Sequence, residues 1–393
     1  MKPSRFQLFI CSLLLAFALA GFTWLQGAEA QTAELTPPRP IFHHPGPPPP
    51  PGMIGVWLHY RDFQKKQHGF PCWIEESYVE DERRFFGIPL EESEIRKDLH
   101  KRLESEIKKQ IGNLSRYIDI TITPLPEKPL WKYASEWQWK DGIDRRNVIS
   151  GKIAAQARDF MSRVDNIIMP DVYRSYYRDH GFIISPMGDG NWISAIDYKA
   201  LADRARPNLQ DCFDKFERNA APADEDALTG LLVAAFQEME FILPPAQDSN
   251  VYLSDFLIPT LVLLNRQGDC DSRATALCAL RQRKSPQIAL LAQRIPEKDQ
   301  QSLPPELRSM DHVFLAIEAY SGNRQATVKL GGPRRFILCE AVRWLNSSPE
   351  KRVPLGSRLF SGPYATKVCM TDDCFGDPSL SIPIFATFGF GEE

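Results

Sequence analysis

The chain has 393 residues, 43% of them hydrophobic and eight of them tryptophan, which is enough apolar material to fill two domains. Its 47 basic and 50 acidic side chains are mixed along the sequence and leave a net charge of −3. That balance gives no electrostatic footing for nucleic acid or for anionic membrane lipid. No CxxC pair, HExxH or regular Cys/His spacing supports a zinc site, and no cofactor is expected.

Lys2 and Arg5 precede an apolar run from Phe6 to Leu25, followed by Gln26-Gly27-Ala28-Glu29-Ala30-Gln31. A basic head, apolar middle and Ala-x-Ala pattern predict a secretory signal over residues 1–30, or an uncleaved membrane anchor given the length of the run. Either way the remainder is expected to be exported, periplasmic or extracellular. Residues 31–52 carry a dense proline tract, including Pro47 to Pro51, that excludes helix and central strand and reads as an extended tether.

A mixed helix-and-strand body follows, with residues 53–222 expected to form an N-terminal α/β region. Ile54 to Tyr60 predicts a strand. Ile95, Leu99, Leu103, Ile107 and Ile111, led by Ser93 and stopped by Gly112, have the spacing of an amphipathic helix. Ile118, Ile120 and Ile122 alternate with polar neighbours up to Pro124, as in a half-buried strand. Trp131, Tyr133, Trp137 and Trp139 cluster, most simply as core between elements. Ile167 to Tyr198 reads as helix turning into strand, with Gly188-Asp189-Gly190 as a turn.

Asp224 and Asp226 open a further helix whose apolar positions, Leu228, Leu231, Leu232, Ala235 and Met239, fall on one face. The apolar stretch Phe256 to Leu264 then runs into Gly268-Asp269-Cys270-Asp271-Ser272-Arg273-Ala274. Good helix formers follow Cys270, so the thiol is expected at a helix amino terminus, where free amides and the helix dipole favour a thiolate. Asp269 and Asp271 work against that unless they point away or meet Arg273.

After a predicted strand at Ile288 to Ala292, His312 leads the run Val313-Phe314-Leu315-Ala316-Ile317. His312, Phe314 and Ala316 share one strand face. A turn at Gly331-Gly332-Pro333 leads to Phe336-Ile337-Leu338-Cys339-Glu340, and antiparallel pairing would set Glu340 beside His312. A thiol, an imidazole and a carboxylate in that order are the equipment of thiol acyl transfer: nucleophile, proton carrier and the group that orients the ring. A carboxylate at the end of an apolar strand also needs a buried partner.

The stretch from about Leu231 to Ala341 resembles the transglutaminase-like superfamily. The likeness rests on Phe236-Gln237, Pro259-Thr260-Leu261, Gly268-Asp269-Cys270, His312-Val313 and Glu340. It implies an α+β fold with a papain-like transglutaminase core over residues 223–345, beside the additional N-terminal α/β region, and a C-terminal extension, 346–393, packed on the core. It also implies Cys270 as nucleophile, His312 as general base and acid, and Glu340, in place of the commoner aspartate, as orienting residue. The backbone N–H of Cys270 is the natural oxyanion donor, with Gln237 as a candidate for a second.

The activity so implied is that of an exported cysteine peptidase or amidase acting on a protein or peptide substrate. The alternatives are a transamidating cross-linker using the same triad, or a non-catalytic binding or scaffold module of a cell envelope. Of the cysteines outside the leader and the triad, Cys278 and Cys339 are expected to be buried as small apolar side chains. The short Cys369 to Cys374 loop is the easiest to close as a disulfide.

Overall fold

The computed structural model describes residues 48–125, 133–143, 151–186, 192–219, 225–248, 250–282, 286–301, 303, 305, 311–319, 327–343, 352–360, 364 and 366–371, all within one compact unit. The leader segment, most of the proline tract, Trp131, the Gly188-Asp189-Gly190 turn, Asp224 and Cys374 lie outside the described residues. Among the described residues no helix is long and apolar enough to cross a membrane.

The fold mixes helices with small, mostly antiparallel sheets, an α+β arrangement. It opens with a hairpin of β1 (Met53–Arg61) and β2 (Gln67–Glu75), whose alternate residues Val56, Leu58, Tyr60, Phe70, Cys72 and Ile74 are buried. Helix α1 (Glu76–Phe85) follows, then α2 (Glu92–Gln110). The predicted apolar stripe of α2 is buried at Ile95, Leu99, Leu103 and Ile107. The helix starts one residue before Ser93, whose hydroxyl bonds the Glu91 carboxylate and no backbone amide, so Ser93 is not its cap.

Strands β3 (Ile118–Pro124) and β4 (Tyr133–Trp139) form a second hairpin, with Tyr133 buried and its hydroxyl donating to the Arg96 carbonyl (2.6 Å). Next come α3 (Gly151–Arg163), α4 (Met169–Asp179) and the hairpin of β5 (Phe182–Pro186) with β6 (Trp192–Ile196). Then α5 (Tyr198–Ala205) and α6 (Gln210–Asn219) lead to α7 (Glu225–Gln237). The expected one-sided stripe of α7 is in fact burial on all sides, every residue from Leu228 to Gln237 being covered. A helix apolar around its whole circumference belongs inside the molecule.

Helix α8 (Pro259–Asn265) begins on Pro259 and stops at Arg266, in the left-handed conformation (φ 53°). Helix α9 (Cys270–Arg281) comes next. A five-stranded antiparallel sheet completes the molecule: β7 (Ile288–Arg294), β8 (Asp311–Glu318), β9 (Thr327–Val328), β10 (Phe336–Cys339) and β11 (Thr366–Cys369), in the order β9-β10-β8-β7-β11. Strands β7 and β8 are buried on both faces, which is why their sequences are unbroken apolar runs rather than alternating ones.

On one face Ile288, Leu290, Ala292, Val313, Leu315 and Ile317 join the main core with α9 residues Ala274, Leu277 and Cys278. On the other, Ala289, Leu291, Phe314, Ala316, Phe336 and Leu338 form a separate cluster. The main core runs from Val56 to Met370, so residues expected to form an N-terminal region and those around Cys270 share one apolar interior.

Candidate active site

Local chemistry sets the thiol at its place. Gly268 takes φ +153°, a conformation side-chain-bearing residues rarely adopt, and its carbonyl accepts from Arg273 Nε (2.7 Å). Asp269 is the N-cap of α9, its carboxylate accepting from the Ser272 amide (3.2 Å), and Cys270 is the first helical residue. The turn therefore fixes the sulfur at the head of the helix, almost wholly buried at 8% exposure.

The sulfur points at strand β8. Cys270 Sγ donates to the Asp311 carbonyl (3.9 Å), and the backbone amides of Val313 and Asp271 are turned toward it. Strand β8 pairs with β7 along its length but with β10 only from Leu315 to Glu318. The thiol thus occupies the edge that β10 leaves uncovered and touches the main chain on both sides of His312.

His312 and Glu340 meet from adjacent strands. Counting on from the Leu315–Cys339 pair, Glu340 falls diagonally from His312 on the same face. His312 Nε2 and Glu340 Oε2 are 2.7 Å apart, both side chains being almost fully buried. The other carboxylate oxygen accepts from the Leu359 amide (2.8 Å). Glu340 therefore has the buried partners that its position demanded. Because Nε2 is committed to the carboxylate, Nδ1, the nitrogen nearer the main chain, is the ring nitrogen left to accept a proton. The ring stacks on Phe314 (5.7 Å) and meets Phe360 edge-on (5.1 Å). The thiol hydrogen goes to the Asp311 carbonyl and not to the ring, so the three side chains converge on one strand segment without a closed relay.

Burial pushes the Cys270 thiol well above its ordinary range, and Asp269 and Asp271 push it further; the Val313 and Asp271 amides pull the other way. Neither carboxylate turns to Arg273, whose Nη1 donates to the Phe236 carbonyl (3.2 Å). Asp271 is held by the Tyr198 hydroxyl (2.8 Å) and the Ser272 amide (2.8 Å). Asp269, buried next to Asp271, is itself raised, first by burial and then by that neighbour.

Gln237 cannot serve as the second oxyanion donor. Its Nε2 donates to the carbonyls of Glu340 and Val353 (both 3.0 Å) and its Oε1 accepts from the Val353 amide (3.0 Å), so the whole amide is consumed in fixing the backbone that carries Glu340. Two polar groups escaped the sequence reading. Tyr198 lies 73 positions before Asp271, with no local signal for their contact. Gln293 had one: it interrupts the apolar run of β7 directly opposite His312.

Cys278 and Cys339 are buried free thiols, and Cys369 is disulfide-bonded. Among the described residues no group of three or more His, Cys, Asp or Glu side chains is placed to hold a metal ion. No protein-family model, curated protein or solved structure matches the chain.

Proposed function

We propose that the protein is an exported thiol-dependent amide hydrolase with a papain-like, transglutaminase-like core, acting on protein or peptide substrates. The observation that carries this reading is the thiol at a helix head, set against the main chain of His312 while that imidazole is held by buried Glu340. The Cys270 proton passes to His312 Nδ1 as sulfur bonds to the substrate carbonyl carbon. Glu340 balances the ring's charge, and the Cys270 amide at the helix start faces the developing oxyanion. Collapse breaks the C–N bond, the ring returns the proton to the amine, and a thioester remains. Water then attacks the thioester with the ring again as base, and the C–S bond breaks to release the acid and restore the thiol.

One observation favours the scaffold reading instead: two carboxylates flank a buried thiol, which disfavours the nucleophile. Incubation with p-nitrophenyl acetate separates them. An acetyl adduct on Cys270 that forms in the wild type, is lost in Cys270→Ala and slows sharply in His312→Ala supports the enzyme. Absence of the adduct from the folded wild type would leave the scaffold. Transfer of the acyl group to an added amine faster than to water would replace hydrolysis by cross-linking.

A further inference from the structure

We infer that Gln293 is the residue through which this site recognises an amide group of its substrate, an inference that rests on the acyl-transfer reading above. Gln293 is fully buried, and neither its Oε1 nor its Nε2 has a hydrogen-bond partner. An unpaired buried polar group is destabilising, and native proteins carry few of them. Here one side chain holds two. The contrast within the fold is direct, because Gln237, equally buried, makes three hydrogen bonds.

The location gives the amide its meaning. Gln293 stands opposite His312 in the β7–β8 register, so the two side chains project from the same sheet face as neighbours. Glu340 aside, the described side chains clustered on that face are apolar: Leu291 and Phe314 below, and Ile295 beyond, which clusters with Leu303 and Phe360. Phe360 lies edge-on to the His312 ring. One unpartnered amide among apolar side chains beside the proton carrier is the composition of a ligand-recognising site.

The chemistry of the side chain selects the class of ligand. A primary amide offers a carbonyl acceptor and N–H donors side by side, the complement of the C=O and N–H of a secondary amide. A carboxylate would face the Gln293 oxygen, and an apolar group would leave both of its polar atoms bare. Gln293 projects from the sheet face opposite the one covered by α9, so it holds a main-chain amide of the substrate and leaves the oxyanion to the helix.

Alkylation of Cys270 by two reagents with the same warhead tests this: chloroacetone, which has no amide, and an acetyl-dipeptide chloromethyl ketone. The wild type is expected to favour the peptidyl reagent, and Gln293→Leu to cut that preference, taken as the ratio of the two alkylation rates, about tenfold. The variant should also melt no lower than the wild type, since it removes two unpaired polar atoms. Gln293→Met carries the same comparison should the leucine variant not fold. A peptidyl preference that survives the substitution, or is missing from the wild type, overturns the inference while leaving the nucleophile intact. A wild-type Cys270 inert to both reagents would overturn the acyl-transfer reading and this inference with it.

Discussion

Asp271 brings a negative charge next to the sulfur it follows on α9, and a thiolate there must form against it. Removing that charge favours the ionised sulfur. In Asp271→Asn the amide oxygen still accepts from the Ser272 amide and the amide nitrogen can donate to the Tyr198 hydroxyl oxygen, so the turn is kept while the charge goes. Alkylation of Cys270 by iodoacetamide at neutral pH should therefore quicken several-fold, and the pH at which the rate reaches half its plateau should fall. A rate equal to or below that of the wild type would show that Asp271 does not govern the sulfur. Which residues to watch was legible in Gly268-Asp269-Cys270, His312 and Glu340, because each sits at the end of an element whose period was plain. The direction in which the aspartates point was not, since it depends on Tyr198, a residue on another helix.

Elements rather than residues decide how His312 and Glu340 meet. Strands β8 and β10 announce themselves as apolar runs and pair antiparallel, although the Gly331-Gly332-Pro333 turn joins β10 to the short β9 and not to β8. What the runs do not reveal is the bracket behind Glu340, where Gln237 at the end of α7 binds the backbone of residues 340 and 353. In the sequence Gln237 is one more polar residue at a helix end, and only burial of the whole helix turns it inward. Gln237→Leu strands two carbonyls and an amide. The expected loss is about 3–5 kcal/mol in chemical denaturation, at about 1–3 kcal/mol for each unsatisfied group. The same variant should acylate more slowly with p-nitrophenyl acetate, although Gln237 is engaged with the backbone and not with the sulfur. A stability loss under about 1 kcal/mol, the ordinary level for a substitution, would show that the bracket is dispensable.

At the scale of the whole molecule, the division read from the sequence near residue 222 is crossed by one apolar interior and by a buried carboxylate. Glu82 of α1 is 1% exposed and accepts from Asn208 (2.9 Å) and from the Thr260 hydroxyl (2.8 Å) and amide (3.4 Å), so it ties the early helices to α8, the element that leads into the thiol turn. Such a tie is invisible in sequence because its three residues lie 126 and 178 positions apart. Burial pushes the Glu82 carboxyl up to about 7 from 4.5, outweighing the hydrogen bonds that favour its ionised form. An acid raised in the folded state binds its proton more tightly there than in the unfolded chain. Glu82 therefore favours folding least above about pH 7, and stability is lost as pH rises from the unfolded value through the folded one. The difference is of order 3 kcal/mol, at about 1.4 kcal/mol per unit. The melting temperature of the wild type should fall between about pH 5 and about pH 8, and Glu82→Gln, which cannot ionise, should flatten that part of the curve. Parallel curves for the two proteins would mean that the carboxyl titrates as if exposed, and that the tie between α1 and α8 is made by packing alone.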